Sequence, residues 1–110
     1  MKALSKEMSE CLANCRECHR ICLQMAMTHC LEMGGAHVAP PHFQLMYLCS
    51  VICETSAKFL MIGSELHKET CRACGVVCER CAKSCEEVGD MNECVEACKR
   101  CAASCKAMAA

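Results

Sequence analysis

One cysteine spacing occurs three times in the chain, as CLANCRECHRIC from residue 11, CGVVCERCAKSC from residue 74 and CVEACKRCAASC from residue 94. Steps of four, three and four average about 3.5 residues, the interval at which the inward seam of a bundle helix returns. Three copies of one spacing are unlikely by chance. The repeat predicts helices that each carry a rail of thiols toward a shared interior.

Extending the same steps lengthens the rails. The first segment gives Leu4, Met8, Cys11, Cys15, Cys18, Cys22, Met25 and His29. The second gives His42, Met46, Cys49, Cys53, Ser56 and Leu60, the third His67, Cys71, Cys74, Cys78, Cys81, Cys85 and Val88, and the fourth Met91, Cys94, Cys98, Cys101, Cys105 and Met108. Only Cys30 stands off these stripes, beside His29. Charged residues such as Glu17, Arg20, Lys83, Glu86 and Lys99 fall on the other faces.

Helix punctuation separates the rails. Gly34 and Gly89 suit a left-handed C-terminal position, Pro40 and Pro41 suit a first turn, and Ser64 and Asp90 can cap N-termini, with Asp90 and Glu93 resembling a capping box. These breaks predict helices over approximately 4–33, 41–62, 65–88 and 91–108 within one domain spanning 1–110. Short turns between four helices imply an all-α, antiparallel up-down-up-down bundle with a cysteine-lined core.

The length of 110 residues suits one such core and no second one. Sixteen cysteines and 3% aromatics mean that thiols fill space normally given to Leu, Ile and Phe. A net charge of −1 with interspersed signs gives no footprint for nucleic acid or an anionic membrane. MKALSKEMSECLA is charged throughout, and no stretch approaches the roughly 20 apolar residues of a membrane span. The expectation is a cytoplasmic protein whose thiols stay reduced and bind metal. The second helix differs from the others, because Phe43, Leu45, Tyr47, Leu48, Val51, Ile52, Phe59, Met61 and Ile62 make it apolar nearly all round. That face predicts a contact between copies of the chain.

Positions three or four apart on a helix hold their Cβ atoms about 5 to 6 Å apart, beyond the 3.5 to 4.5 Å or so of a disulfide. Such thiols are better placed to pinch a metal ion. Soft thiolates select Cu(I), Zn(II) or iron–sulfur clusters. Four closed four-thiolate zinc sites would bury about eight negative charges, whereas one monovalent ion per thiolate leaves the interior near neutral. The charge argument favours Cu(I), many ions per chain. The ferredoxin spacing CxxCxxCxxxCP and the Glu-x-x-His of di-iron bundles are both missing. Phosphate-loop and hydrolase signatures are missing too, so a binding protein is expected and not an enzyme.

Across the whole chain these motifs, the Cys-poorer second helix with CSVIC and the CKAMAA ending resemble the copper storage proteins, specifically their cytosolic branch. The resemblance implies that Cys11, Cys15, Cys18, Cys22, Cys49, Cys53, Cys71, Cys74, Cys78, Cys81, Cys85, Cys94, Cys98, Cys101 and Cys105 bind many Cu(I) ions, and that the chain assembles as a homotetramer. His42 and Met46 stand where more cysteine-rich members could have thiols. Cys30, His29, His42, His67, Met25 and Met46 are further candidate ligands, with Met25, His29, Cys30, His42, Met46 and Met91 expected at one mouth of the bundle. His67, Met8 and Met108 belong to the opposite end, and His19 and His37 read as surface residues. Two other readings remain open: a metallothionein-like Zn(II) or Cd(II) buffer, and a thiol redox protein using a pair such as Cys78 and Cys81.

Overall fold

Ser5 starts the first helix by accepting a hydrogen bond from the Met8 N–H at 3.1 Å, which satisfies one of the donors a helix leaves free at its beginning. The structure, a computed structural model, describes residues 3–110. Helix α1 (Lys6–Met25) runs on through a π-helical turn (Ala26–Cys30) and a last α turn (Leu31–Met33). A short 3-10 turn (Gly35–Val38) leads to α2 (Pro40–Met61), followed by α3 (His67–Val88) and α4 (Asn92–Ala109). No strand occurs among the described residues. The all-helical expectation is met.

The connections follow local chemistry. Gly34 ends the first helical run at φ 67° and Pro40 opens α2 at its first position, where its missing N–H costs nothing. Ser64 accepts from the Leu66 N–H at 3.1 Å in the turn before α3. Asp90 does not cap α4. It stands at φ 58°, directly after Gly89 at φ 83°, and α4 starts from Met91 with no side-chain cap. Two consecutive positive-φ residues make the sharp reversal, and Asp is among the few side chains that tolerate that region.

Helix α1 packs against α2 and α4, and α3 packs against the same two, so α1 faces α3 across the bundle and α2 faces α4. The molecule measures 46 × 23 × 19 Å, so the interior is a long, narrow channel of side chains. Helices α3 and α4 approach closely at Gly75, where a Cβ would lie 3.1 Å from Lys106 Cγ. Glu79 and Lys106 pair across the same seam.

All sixteen cysteines, including Cys30, are 0% exposed. Cys30 therefore departs from its expected place off the stripe, and the π turn is the cause. A π turn is wider than an α turn, so over Ala26–Cys30 the helix falls behind by nearly one residue of rotation. Ala26 and Cys30 then continue inward from Cys22, while Met25 and His29 move to a half-buried shoulder.

Candidate metal centre

Each helix delivers one inward side chain per level, and the levels stack as rungs along the bundle. Cys11, Cys71 and Cys105 form the first rung with Ser56, whose Oγ lies 3.4 Å from Cys71 Sγ. Cys15, Cys53, Cys74 and Cys101 form the second, with Cys53 to Cys74 at 3.6 Å and Cys15 to Cys101 at 3.8 Å. Cys18, Cys49, Cys78 and Cys98 form the third, with Cys18 to Cys98 and Cys49 to Cys78 both at 3.7 Å.

Above these, Met46 replaces a thiol. Its Sδ lies 3.6 Å from Cys81 Sγ and 3.5 Å from Cys85 Sγ, level with Cys22 and Cys94. At the top, Cys30 Sγ stands 4.0 Å from His42 Nε2 and 3.9 Å from Met91 Sδ.

These separations are too long for disulfides, whose sulfurs sit about 2.05 Å apart. They match two ligands on one metal: bonds of about 2.3 Å at a tetrahedral angle place sulfurs about 3.8 Å apart. Four groups of four thiols and one of three lie close enough to hold an ion, and the groups overlap. Cys18 and Cys49 belong to two of them, as do Cys53 and Cys78, Cys74 and Cys101, and Cys105. Through the cysteines of these groups the array is continuous, with no natural partition into closed sites, while Cys30, Cys81, Cys85 and Cys94 lie outside the groups.

Neighbouring thiols set one another's protonation, so that one is lowered as its neighbour is raised. Hydrogen bonds from Cys101, Cys105 and Cys11 bring Cys15 down to about 6. Cys101 chiefly lowers Cys18, while Cys22 is raised, chiefly by Cys18. A buried thiolate is stabilised by S–H donors that must keep their own protons. Soft cations can take the place of those protons one at a time.

The mouth forms at the end where the π turn lies. His42, its pKa lowered by burial, stays neutral and is oriented by Ser84 Oγ, 2.8 Å from its Nδ1. His37 is only 7% exposed and does not lie on the surface as its loop position suggests. Its Nε2–H donates to the Gly89 carbonyl at 3.1 Å, and its ring stands edge-on to His29 and His42 at 5.3 and 6.5 Å. Sequence periodicity missed it because it lies in the short 3-10 turn between α1 and α2 and belongs to none of the four bundle helices. The only available signal was a histidine held between Gly34-Gly35 and Pro40-Pro41, where the chain must cross the bundle end.

His29 Nε2 is buried without a hydrogen bond, 3.7 Å from an Asp90 carboxylate oxygen. Met25 is half-buried and packs against the thiol core. At the opposite end His67 donates from Nδ1 to the Ser64 carbonyl at 2.6 Å, which fixes the orientation of its ring. Met8 and Met108 are half-buried against the core.

His19, read from sequence as a surface residue, is half-buried. Its Nδ1–H faces the Ser50 carbonyl at 3.0 Å, Ser50 Oγ donates to the His19 carbonyl at 3.2 Å, and His19 Nε2 reaches Glu54 at 3.1 Å. It ties α1 to α2 and takes no part in the sulfur ladder.

Fold and site together define a cysteine-lined four-helix bundle built for soft metal ions. The family model described as "Copper storage protein" matches residues 4–110, and the chain belongs to that family. The crystal structure of the Nmul_A1745 protein from Nitrosospira multiformis is similar to it, with 45% identity, a TM-score of 0.93 and coverage of 94% of this chain and 95% of that one. A structure described as "Cu(I)-bound Copper Storage Protein BsCsp3" is similar at 30% identity and a TM-score of 0.86, over 96% of this chain and 100% of that one. Comparison with curated protein sequences finds no match. The resemblance drawn from the cysteine spacing is borne out.

Proposed function

We propose that the protein stores Cu(I), holding many ions per chain on its sixteen inward cysteines, with Met46, His42 and Met91 completing the ligand set near the mouth. The observation that carries this reading is the overlap of the thiol groups. Shared sulfurs suit a monovalent ion bridged between neighbours. Separate zinc tetrahedra would have to divide a ladder that has no divisions, and would leave about two negative charges on each. The Cu(I) bound in the related structure supports the same cargo.

Copper enters, in this reading, at the end carrying Cys30, Met91 and the three edge-on histidines His29, His37 and His42. His29 and Met25 flank that path, and His67 serves the far end. The chain acts by binding and releasing metal, without catalysis. A redox role needs an accessible low-pKa thiol, and every cysteine is fully buried. We place the protein in the cytoplasm, where its thiols stay reduced. None of its described helices is long and apolar enough to cross a membrane. Assembly as a homotetramer is supported by the uncovered apolar side of α2, where Tyr47, Leu48, Val51 and Met61 are exposed.

Anaerobic titration with Cu(I), beside a parallel titration with Zn(II), tests the storage reading. Saturation near one Cu(I) per cysteine is expected. About four zinc ions held more tightly than copper would establish a zinc buffer instead, and reversible disulfide formation without stoichiometric metal would establish a redox protein.

A further inference from the structure

Ser56 occupies the α2 position of the first rung, and its side chain behaves unlike four other helical hydroxyls, which bond back along their own helices. Thr28 donates to the Gln24 carbonyl at 2.7 Å, Thr55 to Val51 at 3.0 Å, Thr70 to His67 at 3.1 Å and Ser104 to Cys101 at 3.2 Å. This back-bonding along the helix is the usual resort of Ser and Thr. Ser56 does not use it. It is 0% exposed, and among the described residues its hydroxyl is hydrogen-bonded only to Cys71 Sγ, at 3.4 Å.

The partner matters because Cys71 belongs to the three-thiol group with Cys11 and Cys105. In the metal-free protein either atom can donate. Once Cys71 is a metal-bound thiolate it has no proton, and only the serine hydroxyl can donate. The hydroxyl oxygen itself is a hard donor that Cu(I) does not select. The rung thus holds three soft ligands and one hydrogen-bond donor aimed at one of them.

We propose that Ser56 is a positioning residue that terminates the copper ladder: it occupies the fourth ligand position of the first rung and steadies the Cys71 thiolate by hydrogen bonding, without binding metal. This rests on the Cu(I) storage reading. A hydrogen bond to a full thiolate belongs to the stronger, charge-assisted kind. Its loss should loosen the ions held by that rung while leaving the number of ligands unchanged.

Two variants separate the ladder position from the hydrogen bond, both read by anaerobic native mass spectrometry, which resolves single copper increments. Ser56→Cys should saturate with one more Cu(I) than wild type, and the gain should vanish when Cys71→Ser is added. Ser56→Ala should bind the wild-type number, but its first ions should pass to a competing Cu(I) chelator at about one tenth of the concentration wild type requires. Circular dichroism of each metal-free variant confirms that the bundle is intact. A wild-type count in Ser56→Cys would overturn the ladder-position assignment, and wild-type chelator release in Ser56→Ala would overturn the hydrogen-bond role. Failure of wild type itself to load copper would instead remove the storage reading, so the two failures are distinguishable.

Discussion

Cys30 shows how one side chain can differ from its neighbours within a single array. Burial, followed by the nearby Cys94 and Cys81, raises its pKa from 9.0 to about 11. Its closest polar partners are His42, kept neutral by burial, and the uncharged Met91 sulfur. Nothing there favours a thiolate, so the folded state prefers the protonated form. A pKa raised on folding gives stability that is fully present below the unfolded value and is lost as pH rises through the folded one. The metal-free protein should therefore lose stability between pH 9 and about 11. Urea midpoints across that range should fall, and Cys30→Ala should fall less. An equal decline in wild type and variant would show that Cys30 does not contribute.

Helices differ in how far their sequence patterns carried over into the structure. The rails of α3 and α4 were legible because regular helices keep the 3.5-residue step and every cysteine on it is buried. The end of the first helix was not legible. A π turn takes up an extra residue and so delays the rotation, a phase shift that no regular period contains, which exchanged His29 for Cys30 at the inward face. Asp90 misled in a similar way, because a residue at positive φ cannot serve as an ordinary N-cap. His37 was hidden because its burial comes from a loop crossing the bundle end, a tertiary effect without periodic trace. The apolar pattern of α2 did translate: its inner side carries Met46, Cys49, Cys53 and Leu60, and its outer side leaves Leu48 54% exposed. Leu48 lies in a shallow apolar depression with Met27, Phe43 and Tyr47. Leu48→Glu should shift the assembly toward monomer in sedimentation at micromolar concentration, with copper capacity per chain unchanged. An unaltered sedimentation profile would remove this face from the interface.

At the scale of the whole molecule, the question is whether copper builds the bundle or fills it. In a small zinc domain the metal supplies most of the folding energy, because the ligands lie on loops that no other interaction holds. Here each thiol sits on a helix with its own punctuation, including the Ser5 cap, the Gly34 and Gly89 reversals and the Pro40 start. Leu60, Met46 and Met91 are fully buried among the thiols, and ties such as Glu79 to Lys106 and His19 to Ser50 join adjacent helices. The metal-free chain should then be folded, with a helical circular dichroism spectrum and a cooperative melt. Copper binds the folded array and should raise the melting temperature by mass action, about 2.7 kcal/mol for each independent ion present at a hundredfold over its dissociation constant. Several ions together predict a rise of more than about 10 °C in a domain of this size. Loading also displaces thiol protons, so acidification must oppose it. The copper-dependent rise should shrink steadily as pH falls below neutrality, while the metal-free melt changes less. A random-coil spectrum after copper is stripped would mean that metal builds the bundle, and a rise independent of pH would mean that the ions do not replace thiol protons.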